Sequence, residues 1–425
     1  MMDAAAHSVD SLPDVQFVLR SRHFVPVRPE SGFKADYVAR LTHDSLADLF
    51  GTAHFERRRL LSTLFTRTKL QRYEDETLVP ALTAAIAAAR GTAPPGAAVT
   101  RSIDLLVLCR RIFLALAARI IGLDGLEDLD GPRFAHYNAD FVQMERLARA
   151  KFIDDPEPLV EQALAAQERW RREYFEPSWE RRLLLRATSP DADGSLAAAD
   201  DLISLIIDNR AHYEQWDPGV AAREATLFQN ASVGSSAGAV CHAVEDLERW
   251  FQDRPQDRGQ RSDPAFLQRA LADSLRQHAN NVLIRTALAP AVLPSGIQVA
   301  AGEVVLLDRR AANAEIERAS GARGGFDPDS RWDDYYPRYG LAFGGGAHTC
   351  IARPVVLGAA EPGAAGPNRR HGLGTATLLA LYAAGVRLDP SAPPQRYADM
   401  TRETFRTFPV RFAPLTPSRD GEVAS

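Results

Sequence analysis

The sequence predicts a mainly α fold with a minor β part, organised as a single domain over residues 1–425. Three observations predict it. Apolar residues recur at three-to-four spacing through much of the chain. One such stretch, from Glu224 to Phe251, is long enough to cross a whole domain as a helix. Alternating β-branched segments bounded by Gly and Pro are concentrated in the last third.

In chain order, the helical segments are ETLVPALTAAIAAAR (76–90), DLLVLCRRIFLALAARIIGL (104–123), PEPLVEQALAAQERWRREYF (156–175) and AADDLISLIIDNRAHYEQW (198–216). The long helix follows, with Leu227, Ala231, Val233, Ala237, Val240 and Val244 apolar and a charged end EDLER. IRTALAP, SGIQVAAGEVVLLDRR and ETFRTFPVRFAP then read as short strands of a small sheet. The Gly/Pro-rich segment 358–374 reads as a surface insertion between two helical pieces, and 414–425 as a tail.

Hydrophobic residues make up 45% and charged residues 25%, ordinary values for a chain that buries a large core. A net charge of -5 argues against a nucleic-acid partner. The three cysteines, Cys109, Cys241 and Cys350, are too scattered for a disulfide framework and lack the spacing of a structural zinc site. The start, MMDAAAHSVDSLPDVQF, has neither a basic stretch nor an apolar run, and no later run reaches membrane-spanning length. A cytoplasmic protein without a membrane anchor is expected.

The stretch that carries chemistry is LAFGGGAHTCIARP (341–354). Consecutive glycines let a backbone approach a flat ligand closely, and Cys350 stands where such a turn presents its sulfur. With Phe343, Gly344, Gly346, His348 and Cys350 in place, this loop resembles the haem loop of the cytochrome P-450 family, FGxGxHxCxG, with Ala352 at the last glycine. The resemblance implies a helical prism with small β-sheets, binding haem b (iron protoporphyrin IX) with Cys350 as axial ligand to the iron and Phe343 shielding the sulfur. A thiolate ligand pushes electron density onto iron and favours O–O cleavage.

Other motifs match in the same order, from about residue 13 to 413. Asp273 and Arg276, in LQRALADSLRQH, stand at the family's ExxR pair and are expected to form a structural ion pair. Arg285 falls where many members carry an arginine to a haem propionate. In AHFERRRLLSTLF (53–65), His54 and Arg58 lie one helical turn apart, which puts both within reach of one anion. His348 is expected to join them as a propionate contact. The match begins near the family's second helix, so the usual first helix and opening strands are expected to be missing and the sheet incomplete.

One departure bears on chemistry. Aligning QNASVGSSAG (229–238) with the family's acid–alcohol pair places Gly234 at the acid and Ser235 at the threonine. Ser235, Ser236, Asn230 and Gln229 remain as groups able to order water, but none is an acid. The leading expectation is a haem-thiolate monooxygenase that oxidises a small or medium organic molecule in specialised metabolism. The alternative keeps the haem but uses peroxide, or carries out dehydration, rearrangement or nitrogen transfer. A third reading is a catalytically silent haem protein that recruits a partner enzyme.

Electrons are expected from a ferredoxin and ferredoxin reductase, docking on a basic patch of Arg57, Arg59, Arg353, Arg369 and Arg370. Substrate specificity is expected from 33–50, 134–185, Phe228, Val233 and QHANNV (277–282), where Asn280 and Asn281 either favour a polar substrate or cap the helix end.

Overall fold

A computed structural model describes residues 6–27, 37–91, 100–188, 200–210, 216–279, 283–321, 324–332, 335–358, 371–398 and 403–414. The central helix runs from Pro218 to Asp253, 36 residues, or about 54 Å at 1.5 Å per residue. It starts earlier than the apolar pattern does. Asp217 accepts a hydrogen bond from the Val220 amide and Pro218 fills the first turn, a start signal independent of hydrophobicity.

Leu105–Ile121 packs along this helix, as do Pro264–Gln277 and Leu373–Ala383, and their apolar faces merge into one large core. Leu105–Ile121 opens on Asp104, which accepts from the Leu106 and Val107 amides, and stops at Gly122 in the left-handed region. The expected segment 76–90 becomes a π turn at Glu74–Leu78 followed by helix Val79–Arg90. Segment 156–175 likewise forms helix Glu157–Trp170, a π turn at Arg171–Phe175, and a further helix to Thr188. Of 198–216, the described helix is Leu202–Asn209. Helix Pro132–Arg146 is an element for which the sequence reading named no periodic signal.

Four strands form the main sheet: β1 (Ala6–Val9), β2 (Phe24–Val25), β3 (Leu283–Ala287) and β4 (Val304–Leu307). Their order is β1-β4-β3-β2, with β1 parallel to β4 and the other pairs antiparallel. An opening strand is therefore present, because the carbonyls and amides of β4 offer a free edge that Ala6–Val9 completes. Helix Leu12–Arg20 and helix Arg309–Ala319 cover this sheet with a second, smaller core of Val15, Val18, Val305, Leu307 and Ile316. Near the end of the chain, Phe405–Thr407 and Pro409–Arg411 are short strands, as the alternation predicts. Most of the 358–374 segment lies outside the described residues; Arg353–Leu357 and Leu373–Ala383 are helices on either side of it.

Asp273 and Arg276 do pair. Arg276 donates to Asp273 Oδ1 at 2.7 and 3.2 Å, with side chains 2% and 1% exposed respectively. The second carboxylate oxygen of Asp273 accepts the Asp327 amide, and Arg276 also reaches Glu317 at 2.9 Å. Removing one member of a sealed pair strands the other, at a cost of about 3–5 kcal/mol. Urea unfolding of Asp273→Ala should show a loss of that size, whereas a loss under about 1 kcal/mol, typical of a surface pair, would contradict the geometry.

Candidate active site

The loop at 341–354 folds back on itself, with the Cys350 amide donating to the Phe343 carbonyl at 2.9 Å. Gly346 has φ +65, and a β-carbon there would collide with the Leu19 carbonyl, so only glycine lets the loop lie against helix Leu12–Arg20. Gly344, at φ +71, makes the other left-handed bend. Ala352 takes a right-handed conformation at φ -89, so the family's last glycine is not needed here.

This loop forms one wall of a cavity of about 510 Å³, to which Phe343, Gly344, His348 and Cys350 contribute. Burial raises the Cys350 thiol pKa, while the Ala352 amide, the Arg58 charge and the Arg353 amide and charge oppose it by favouring the thiolate.

His54, Arg58 and Arg285 reach the same cavity from helix Gly51–Ser62 and strand β3. The His54 and His348 rings stand 4.0 Å apart between centroids. Burial, with nearby arginines, lowers His54 to a pKa of about 4; burial, His54 and the arginines lower His348 to about 3, so both are neutral at neutral pH. Burial alone brings the Arg285 guanidinium down to about 10. Its side chain donates to the Ile284 carbonyl at 2.8 Å, and no carboxylate among the described residues pairs with Arg285 or Arg58.

Opposite stands the central helix. Its cavity face carries Leu227, Phe228, Ala231, Ser232, Ser235, Ser236, Ala239 and Val240. This is an i, i+4 stripe two residues wide. Ser235 and Ser236 are therefore on the cavity, as expected, with Ser235 Oγ donating to the Ala231 carbonyl at 2.6 Å.

Asn230 is a correction: one residue out of phase with Ala231, it is rotated by about 100° and does not line the cavity. Gln229 is buried elsewhere, accepting from Tyr137 at 2.6 Å and Trp170 at 3.1 Å. Val233 is fully buried in the helical core and also misses the cavity. Leu46 and Ala47 line it from the 33–50 region, but no described residue of 134–185 does; helix Leu105–Ile121 supplies Phe113, Leu116, Ala117 and Ile120. Asn280 and Asn281 lie outside the described residues.

Arg309 and His242 had no clear sequence signal, whereas His278 belongs to the QHANNV segment expected to shape specificity. Arg309, buried at the start of its helix, donates to the Leu341 and Ala342 carbonyls and also lines the cavity. His242 and His278, stacked at 4.0 Å and 14°, form part of the wall. His278 bridges Glu403 at 3.2 Å and Asp246 at 3.1 Å. Imidazoles stacked face to face direct their in-plane lone pairs side by side, which suits this bridge better than a shared metal ion.

The expected docking patch also changes. Arg57 is sealed inside, donating to Glu224 at 3.3 Å and to the Asp44 carbonyl and lying 4.3 Å over the Trp216 ring. It ties helix Gly51–Ser62 to the central helix and offers nothing to a partner. Arg59 and Arg353 are exposed, while Arg369 and Arg370 lie outside the described residues.

The architecture is the cytochrome P-450 fold. Over 95% of this chain it superposes on 92% of CYP109E1 from Bacillus megaterium, solved in complex with testosterone, with a TM-score of 0.68 and 15% identity. CYP164A2 of Mycobacterium smegmatis, in its ligand-free state, matches 95% of this chain over 90% of its own at TM-score 0.64 and 19% identity. Cytochrome P-450 260B1 of Sorangium cellulosum matches 96% over 90% at TM-score 0.64 and 19% identity. No family model matches the sequence, and no curated protein does either. Among the described residues, no helix is long and apolar enough to cross a membrane.

The residues present fit a haem. A thiol stands on one wall, apolar side chains flank it, and unpaired cationic and imidazole groups converge where two carboxylates would be neutralised. Apoprotein stability reports this cost. A histidine whose pKa falls on folding leaves the unfolded state binding more protons, so stability drops as pH falls from 6.5 towards about 4. The urea midpoint of apoprotein should fall through that window, and His54→Gln should flatten the fall. An unchanged slope would contradict a buried, neutral His54.

Proposed function

We propose that this chain is a haem-thiolate monooxygenase acting on a small, largely apolar organic molecule. The observation that carries the reading is the cavity itself, with Cys350 on the loop wall, buried cations without carboxylate partners, and a serine-bearing helix opposite.

Cys350 would ligate the iron, with the backbone amides of Ala352 and Arg353 holding its negative charge. Arg58, Arg285, His54 and His348 would hold the two propionates, and Phe343 flanks the thiolate. When bound, haem supplies the reduction and cleavage of dioxygen. The chain's own part is to bind, orient and exclude water. Leu46, Phe113, Leu227, Phe228 and Leu275 offer an apolar surface to substrate, and Ser232, Ser235 and Ser236 are polar groups on the helix wall. Electrons would come from a ferredoxin and its reductase, with exposed Arg59 and Arg353 on the docking face.

The reduced, carbon monoxide-bound protein should show the red-shifted Soret band of thiolate ligation, and Cys350→Ala should abolish it. A wild-type spectrum without that band would overturn the reading. Arg285→Ala should leave the band in place but speed haem loss to apomyoglobin, by about ten- to a hundred-fold if it acts as outer-shell support does elsewhere. Haem loss at the wild-type rate would remove Arg285 from the propionate set.

A further inference from the structure

The cavity stripe of the central helix carries serines and no carboxylate, and Gly234 stands where an acid was expected. Yet Gly234 does not face empty space. A β-carbon built on it would collide with Oε1 of Glu145, and the Glu145 Cδ would stand 3.4 Å away. The Glu145 carboxylate therefore fills the volume in which a side chain at 234 would begin.

Glu145 projects from the last turn of helix Pro132–Arg146. Arg110, on helix Leu105–Ile121, donates to Oε1 at 3.2 Å and stands 3.0 Å from Oε2. Three helices thus converge on one ion pair beside the residue preceding Ser235. The side chains of Arg110 and Glu145 are 24% and 21% exposed, so water reaches the pair.

We propose that Glu145, reaching the central helix through the gap left by Gly234, passes solvent protons towards the Ser235–Ser236 wall in place of an acid on the helix itself. This rests on the monooxygenase reading. Inserting one oxygen atom follows RH + O2 + 2 H+ + 2 e− → ROH + H2O. The electrons come from the ferredoxin-type donor and both protons come from solvent. Glu145 gives a proton inward through ordered water and regains one from bulk, so it ends each turnover unchanged. Arg110 orients the carboxylate. A side chain at 234 would push the Glu145 carboxylate, the free end of a flexible side chain, out of this place.

Two measurements on the holoenzyme test this. In thermal melts, Gly234→Ala should be less favourable in the wild-type background than beside Glu145→Ala, where the helix-propensity gain of alanine over glycine is no longer offset by displacing the carboxylate. Additive shifts would overturn the contact. In the second, dioxygen is the probe, and NADH-driven oxygen uptake is followed through ferredoxin reductase and ferredoxin in H2O and D2O across pH.

Glu145→Gln should slow uptake by about ten- to a hundred-fold, at or below the range for a lost proton-transfer group. It should also raise the solvent isotope effect and leave the carbon monoxide band intact. Glu145→Ala with Gly234→Asp should recover most of the rate, by returning a carboxylate to the same volume. Unchanged uptake and isotope effect in Glu145→Gln would overturn the proposal, as would a loss that appears in Glu403→Gln instead, which points to the His278 bridge. A missing carbon monoxide band in the wild type would sink the monooxygenase reading and leave the melting result standing.

Discussion

Arg276 is the point through which the cysteine loop is tied to the helical body. Its guanidinium is held by Asp273 and Glu317, and its backbone carbonyl accepts from Asn313 Nδ2 at 3.0 Å. Asn313 in turn accepts the Leu341 amide at 2.7 Å, at the first residue of the loop that carries Cys350. Arg309, one turn earlier on the same helix, holds the Leu341 and Ala342 carbonyls. A sealed ion pair adds little net stability over an apolar core, but it makes every alternative arrangement expensive, since each would strand a charge. Shortening the acid from Glu to Asp keeps the pair because both partners sit one turn apart on one helix.

What the sequence made legible follows from this. The motif residues of the loop, the Asp273–Arg276 pair, and His54 with Arg58 all act over one or two turns, so local spacing already specifies their geometry. The phase of the central helix is different. Its cavity stripe depends on how 36 residues roll against three neighbouring helices, and a phase difference of one residue puts Asn230 off the cavity while Ser235 and Ser236 line it. Arg57 was misplaced for a related reason: a lone arginine in a basic run carries no mark of its buried partner Glu224, which lies far along the chain. Glu145 and Arg309 act only through tertiary contacts, and no local pattern announces them.

The glycines show the same division. Gly346 is required by backbone geometry and by the Leu19 carbonyl, and its role can be read from the motif. Gly234 leaves room for a side chain from another helix. In sequence it looks like the loss of an acid, whereas in the fold it is the space that admits one.

The cavity finally links folding to ligand. Arg58, Arg285 and Arg309 are taken out of bulk water close to one another, and burial depresses each guanidinium. Such a cluster works against the apoprotein, because like charges repel in a medium that screens them poorly. On the proposed reading, a dianionic macrocycle would reverse the sign by supplying two carboxylates to the same place, and a ligand that binds only the folded state adds its binding free energy to stability. The same arginines would favour an anionic ligand, since an apolar one of the same shape offers Arg58 and Arg285 no carboxylate.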